Sequence, residues 1–218
     1  MTSARTTKQW QTLDTQRHLH PFTDFNSYAK NPGRIISRAE HIYIYDTDGT
    51  EFLDAMSGLW CCSLGYSQPE IAAAVNAQFQ QLPYYNNFFQ CSNEPAVELA
   101  DRLVKITPEQ FTHVFFTNSG SEANDTNIRL IRRYWDLKSQ PKKRIILART
   151  NAYHGSTIAA ASLGGFASVH DQFETLPYVQ HIADPNWYNS GGDMTGDEFG
   201  IAAARKLEKR IDELGEEN

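Results

Sequence analysis

One stretch constrains the fold more than any other, the run from Phe115 to Asp125, Phe-Phe-Thr-Asn-Ser-Gly-Ser-Glu-Ala-Asn-Asp. It opens on the end of a strand-like segment, His113 to Thr117, rich in β-branched and aromatic residues. It closes on a helical segment, Glu122 to Lys138. A chain that leaves a sheet and enters a helix through Ser-Gly-Ser points backbone N–H groups and the positive end of a helix dipole at one spot, which suits an anion such as phosphate. The same residues also fit a capping box, in which Ser119 caps the helix and Glu122 reaches back, with no ligand required. A box alone needs neither Gly120 nor the second hydroxyl at Ser121, so both readings stand at this point.

The surrounding order favours an α/β layer. Ile145 to Ala148 is a continuous apolar run, as in a strand covered on both faces. The loop Thr150 to Gly155 follows, then a small-residue helix, Ser156 to Leu163, stopped by Gly164-Gly165. Tyr178 to Ile182 is a further strand, Asp184 to Asp197 a long loop, and Glu198 to Leu214 an amphipathic helix with Ile201, Ala204, Leu207, Ile211 and Leu214 on its buried side. Strand and helix therefore alternate three times from Phe111, which predicts a mostly parallel sheet. In the long helix after the Ser-Gly-Ser turn, Ile128, Ile131, Tyr134 and Trp135 form the apolar face.

The first part of the chain is of a different kind. Thr6 to Leu19 predicts a short helix stopped by Pro21, with an extended segment from His20 to Phe25. Arg34 to Ser37 and His41 to Tyr45 alternate as strands do, and Asp46-Thr47-Asp48-Gly49 turns the chain into Thr50 to Leu53 as a hairpin. The glycine of that tetrad comes too early for a calcium loop. Helices are expected from Ser67 to about Gln81, burying Ile71, Val75 and Phe79, and from Asn93 through Val104. Between them Leu82 to Cys91 is an aromatic loop that suits an interface or a buried connector. His18 and His20 stand two apart, but beside a proline and with no third ligand in view they are not read as a metal pair, and no metal is expected. The division expected is 1–65, a helix and hairpin segment, and 66–218, the start of a larger sheet domain.

Composition excludes several functions. The 218 residues carry a net charge of −6 and are 12% aromatic, with a pI near 5.6. Nucleic acid is not the expected partner. Cys61, Cys62 and Cys91 form neither a disulfide framework nor a zinc pattern, which suits a reducing, cytoplasmic setting. Met1 to Trp10 lacks the apolar core of a signal peptide, and no apolar run has membrane-spanning length. The Walker pattern and the dinucleotide Gly-x-Gly-x-x-Gly are both absent. The loop Asn151-Ala152-Tyr153-His154-Gly155 should emerge at the same carboxyl edge of the sheet as the Ser-Gly-Ser turn. A phosphate cradle beside an aromatic face suits a phosphorylated planar ring, although Tyr153 or His154 taken alone reads first as a packed residue.

At these residues the chain resembles a known family. Thr117 to Asp125, Tyr153-His154-Gly155-Ser156-Thr157 and Gly58-Leu59-Trp60-Cys61 are similar to the class III aminotransferases, pyridoxal-phosphate enzymes of fold type I (aspartate aminotransferase-like). His20-Pro21-Phe22-Thr23-Asp24 and the segment Asp193 to Gly200 resemble, more narrowly, the omega-transaminases that include putrescine–pyruvate aminotransferases. The resemblance implies that Gly120 and Ser121, with Ser119 nearby, hold the cofactor phosphate, that Tyr153 stacks on its ring, and that His154 adjoins it. It implies an amine pocket shaped by Phe22, Trp60 and Tyr153, with Phe88 supplied by the other subunit of a homodimer. The reactants implied are an amine donor and a keto acid such as pyruvate. The family's Schiff-base lysine, the acid that meets the ring nitrogen and the carboxylate-binding arginine are expected beyond Asn218. None of the eight lysines here, Lys8, Lys30, Lys105, Lys138, Lys142, Lys143, Lys206 and Lys209, falls in a loop near Ser121 and Tyr153. No catalytic residue is therefore expected in this chain, which reads as the first half of a transaminase: a truncated product, a partial sequence or one partner of a split enzyme. A non-catalytic assembly module and a fragment without a stable fold are the alternatives.

Overall fold

The computed structural model describes residues 5–218; the first four residues of the polar N-terminal segment lie outside it. The chain divides into two compact units, residues 1–97 and 98–218. The division expected after residue 65 falls inside the first unit.

In the first unit α1 (Thr7–Arg17) starts at a true capping box, with Thr6 and Gln9 bonding reciprocally. The segment after Pro21 is not extended throughout. Asp24 caps a short helix, α2 (Phe25–Lys30), by accepting from Asn26 N–H at 3.0 Å. Three antiparallel strands follow, β1 (Ile36–Glu40), β2 (Tyr43–Asp46) and β3 (Glu51–Leu53), in that spatial order. The expected hairpin is β2–β3. The Asp46 carboxylate closes its turn by accepting from Asp48 and Thr50 N–H. β1 extends beyond the predicted Ser37 because the reversal into β2 comes at His41, whose φ is +52°.

Next comes α3 (Ser57–Trp60), a single turn in which all four residues have positive φ, between 49° and 65°. It is left-handed, a conformation that costs a non-glycine residue about 1–2 kcal/mol. α4 (Pro69–Gln81) begins with proline at its first position, as expected. α5 (Glu94–Ile106) spans the boundary between the units.

The expected burial in α4 is not realised. Ile71, Val75 and Phe79 share one face but stay about half exposed or more. Helical periodicity marks a face that can be covered, and no described residue covers this one.

The second unit holds most of the buried apolar side chains: Ile128, Ala148, Ala160, Ala161, Leu163, Phe199 and Ala203. α6 (Gly120–Leu137) leads to β4 (Ile146–Arg149), then to α7 (Ile158–Leu163), α8 (Ala167–His170), β5 (Val179–Ile182), α9 (Trp187–Ser190) and α10 (Gly196–Leu214). β4 and β5 pair in parallel, Ile146 opposite Val179 and Arg149 opposite Ile182. α7 is the buried centre; Ser162 donates to Ile158 C=O and accepts from Leu176 N–H, so its burial leaves no polar atom unpaired.

Three expectations need correction here. His113 to Thr117 is not a strand, because no neighbouring segment among the described residues offers it a ladder. α10 turns Phe199 and Ala203 inward, while Ile201, Leu207 and Ile211 are exposed. The helix is fixed in that rotation by Arg149, which donates to the C=O of Ala183 and Ala203, and by Arg210, which meets Gln180. Of the apolar face proposed for α6 only Ile128 is buried; Ile131 and Tyr134 remain about half exposed.

Candidate functional site

The Ser-Gly-Ser turn is half a capping box. Ser119 Oγ accepts from Glu122 N–H at 3.1 Å, as the motif predicts. The reciprocal bond goes one residue further back: Glu122 Oε2 accepts from Asn118 N–H at 2.9 Å and from its side-chain amide at 3.2 Å. Thr117 Oγ1 donates to Ser119 C=O, tightening the entry. The N–H groups of Gly120 and Ser121 are left with no acceptor among the described residues. They stand at the positive end of an 18-residue helix, and the space a Cβ on Gly120 would occupy is open, with no atom within 4 Å. An anion is the species such a corner can hold.

Ser121 joins this corner to the next loop. Its Oγ accepts from Ser156 N–H at 3.0 Å, which leaves its own proton free to donate. Gly155 makes the approach possible: its φ is +130°, and a Cβ there would collide with Ser121 Oγ and lie 2.9 Å from Ala160 Cβ. Two more bonds run from α6 to the same loop. Asn124 Nδ2 donates to His154 C=O at 2.8 Å, and Thr157 Oγ1 donates to Asp125 Oδ1 at 2.8 Å. Ser121, Asn124 and Asp125 are spaced i, i+3, i+4, so one face of the helix carries all three ties. That spacing is the signal in the sequence for Asn124 and Asp125, which a motif of phosphate-binding residues does not include.

Ser119, Gly120, Ser121, Tyr153 and His154 therefore belong to one local structure. The Tyr153 ring is 62% exposed, and His154 joins the network through its backbone while its side chain is exposed.

Phe22, Trp60 and Phe88 lie in the first unit, and no ring pair links any of them to another among the described residues. Phe22 and Trp60 are each 80% exposed and each has positive φ. Trp60 is presented by the left-handed turn, and the device that holds that turn is Asp54. Its carboxylate accepts from Met56 N–H at 3.1 Å, Gly58 N–H at 2.7 Å and Tyr66 O–H at 2.6 Å. Those bonds hold the Asp54 carboxyl below the usual range, the tyrosine's first, and the anion beside Tyr66 pushes its hydroxyl up to about 12. Phe88 is exposed beside Phe89 in the aromatic loop.

With this geometry in view, comparison with known proteins is decisive. The family described as Aminotransferase class-III matches residues 25–214. The chain belongs to the class-III aminotransferases. It is 50% identical to the putrescine–pyruvate aminotransferase of Pseudomonas aeruginosa, over all of this chain and 48% of that protein. It is 40% identical to the chloroplastic gamma aminobutyrate transaminase 3 of Solanum lycopersicum, over 91% of this chain and 39% of that one.

Among solved structures, an (S)-enantioselective omega-transaminase from Thermomicrobium roseum superposes with a TM-score of 0.92 at 31% identity, over 99% of this chain and 48% of that one. The Pseudomonas jessenii omega transaminase in complex with PMP gives 0.89 at 36% identity, over 95% and 46%. The chain thus spans about half the length of the relatives it matches. Its fold is an incomplete fold type I domain, and its family depends on pyridoxal phosphate. The two N–H groups at Gly120 and Ser121, the free proton of Ser121 and the open space at Gly120 fit the phosphate of that cofactor.

Proposed function

We propose that this chain forms the phosphate-holding and ring-facing part of a transaminase that moves an amino group from a primary amine or diamine to a keto acid such as pyruvate. The observation that carries the reading is the unpaired N–H corner at Gly120 and Ser121, tied through Ser121 Oγ to the loop bearing Tyr153. Gly120 and Ser121 hold the phosphate, Ser121 also by its hydroxyl, while Ser119 is engaged as the cap. Tyr153, exposed next to that corner, offers its face to the ring. Pyridoxal phosphate, when bound, supplies the electron-withdrawing ring that takes up and passes on the amino group.

The amine preference is drawn from the 50% identity to a putrescine–pyruvate enzyme. Resemblance to the family, rather than any contact between the two units, is what assigns Phe22, Trp60 and Tyr153 to the amine pocket and Phe88 to that of the second subunit of a homodimer. Residues 1–65 form part of the small domain and 66–218 the first part of the large one, in a cytoplasmic enzyme.

The lysine that moves the proton is not among the eight of this sequence. Lys138 caps the far end of α6, roughly 27 Å along the helix from Gly120. Lys105 is paired with Asp101 and Lys209 with Glu213, while Lys206 lies over the Phe199 ring. These 218 residues alone bind cofactor without turning over amine.

Titration of the chain with pyridoxal phosphate, followed by the phosphorus resonance of the ligand, tests this. Saturable binding that weakens roughly tenfold in Ser121→Ala is expected, from the loss of one charge-assisted hydrogen bond. Binding that ignores both Ser121→Ala and Tyr153→Ala would reject the reading and favour the non-catalytic assembly module, for which the uncovered face of α4 speaks.

A further inference from the structure

Asp14, His18 and His20 form a cluster that the transamination reading leaves unused. Asp14 and His18 stand one turn apart at the end of α1, and His20 follows on the chain before Pro21. The sequence places two histidines together without a third donor beside them; the fold adds Asp14. Asp14 Oδ1 lies 3.1 Å from His18 Nδ1 and Asp14 Oδ2 lies 2.9 Å from His20 Nε2. The two imidazole rings are 4.1 Å apart. One donor atom from each residue lies within 4.8 Å of the other two. Tyr28, on α2, donates to Asp14 Oδ2 at 2.5 Å and so fixes the carboxylate from behind.

Zinc held by nitrogen and oxygen at about 2.0–2.2 Å in a tetrahedron sets its ligand atoms roughly 3.3 Å apart. Two nitrogen–oxygen separations here stand near that spacing, each to a different oxygen of Asp14, so the carboxylate presents one oxygen to each imidazole. The remaining edge closes by rotation of His18, whose side chain is 63% exposed and free to turn. Asp14 and His20 are 16% and 25% exposed, so they form the fixed floor of the site and His18 its open side. The donor set, two imidazoles and one carboxylate, is one that zinc and its neighbours in the first transition row accept with a position left for water. Outer support of a ligating group by a hydroxyl is the usual companion of such sites. Capping the end of α1 would need one imidazole, not two converging on the two oxygens of one carboxylate.

We propose that Asp14, His18 and His20 bind one divalent transition ion of the zinc class, with Tyr28 positioning the carboxylate. The ion bridges the end of α1 to the segment that carries Phe22, and it exchanges protons shared with Asp14 for metal bonds.

Cobalt(II) titration of the untagged 218-residue chain, freed of metal by chelator, tests it by visible absorbance, with zinc then added as competitor. The expected result is a tetrahedral cobalt band that saturates at about one ion per chain and is displaced by zinc. His18→Gln, a surface replacement that the fold tolerates, weakens binding at least roughly tenfold, and His20→Gln does the same. Tyr28→Phe weakens it about tenfold through the carboxylate alone. Circular dichroism of each variant separates loss of the site from loss of the fold. A chain with no saturable band, or a band unchanged in the doubly substituted His18→Gln/His20→Gln chain, overturns the proposal and leaves a hydrogen-bonded clasp around Asp14.

Discussion

At the scale of single residues the site depends on one contact, Gly155 against Ser121. Any side chain at 155 must displace Ser121 Oγ and accept a strained φ of +130°. Gly155→Ala should therefore lower stability by about 1–3 kcal/mol and release the bond from Ser156, measurable as a drop in unfolding midpoint. Gly120→Ala makes the opposite case. Its Cβ meets nothing within 4 Å, so thermal unfolding should be unchanged or slightly later. It should still cost cofactor affinity, because the added methyl enters the space the phosphate needs. Finding equal losses of stability in the two alanine variants would contradict this geometry. Ser119→Ala separates the cap from the cradle: about 1 kcal/mol of stability should go with the bond to Glu122 N–H, while the N–H groups of Gly120 and Ser121 remain. The sequence made Ser119, Gly120 and Ser121 legible because a strand-like run, two hydroxyls and a helix pattern meet there. It did not make Glu122 legible in full, since Asn118 and Ser119 present equivalent N–H groups and only the backbone path decides between them.

At the scale of elements, periodicity announced the helices but not what they bury. α4 and α10 both form where the apolar spacing places them, yet the face of α10 that packs is set by Arg149 and Arg210, polar residues that a hydrophobic pattern ignores. Nothing in Ser-Gly-Leu-Trp announces the left-handed turn α3, because it has one residue suited to positive φ and three that are not. What holds it is Asp54, twelve residues from Tyr66. The titration signs follow from the two shifts. The depressed Asp54 carboxyl contributes stability that is present above its ordinary value of 3.8 and lost as pH falls through its lower folded value. The raised Tyr66 hydroxyl contributes stability that is full below 10 and lost as pH rises from there to about 12. Asp54→Asn should flatten the acid limb and move Tyr66 back toward 10, which tyrosinate absorbance of this variant against Tyr66→Phe will report. A Tyr66 transition that stays near 12 in Asp54→Asn would show that the anion is not its cause.

At the scale of the whole molecule, the sequence conveyed an α/β chain with a parallel pair, and β4 and β5 supply it. It could not convey that His113 to Thr117 would lack a ladder, because a strand is a property of two segments and only one is in view. The same absence runs through the apolar surface. Tyr84, Tyr85, Phe88 and Phe89 are all exposed, the last at 91%. At 150–250 Å² for each ring, that loop offers on the order of 500 Å² of uncovered aromatic surface. This approaches the roughly 800 Å² per partner of a stable interface but does not reach it alone. The exposed face of α4, with Ile71, Val75 and Phe79, supplies apolar area of the same order. Monomers rarely leave patches of this size open. The chain should therefore self-associate, with a weight-average mass in sedimentation equilibrium that rises with concentration. Phe88→Asp should weaken that association by about 1.4 kcal/mol or more, a tenfold shift, because it puts a desolvated charge where a ring was buried. If the chain stays monomeric throughout, or if Phe88→Asp leaves the curve in place, the aromatic loop is not the subunit contact. The assignment of Phe88 to a partner's amine pocket would then fall with it, while the phosphate corner at Gly120 and Ser121, built within the second unit alone, would stand.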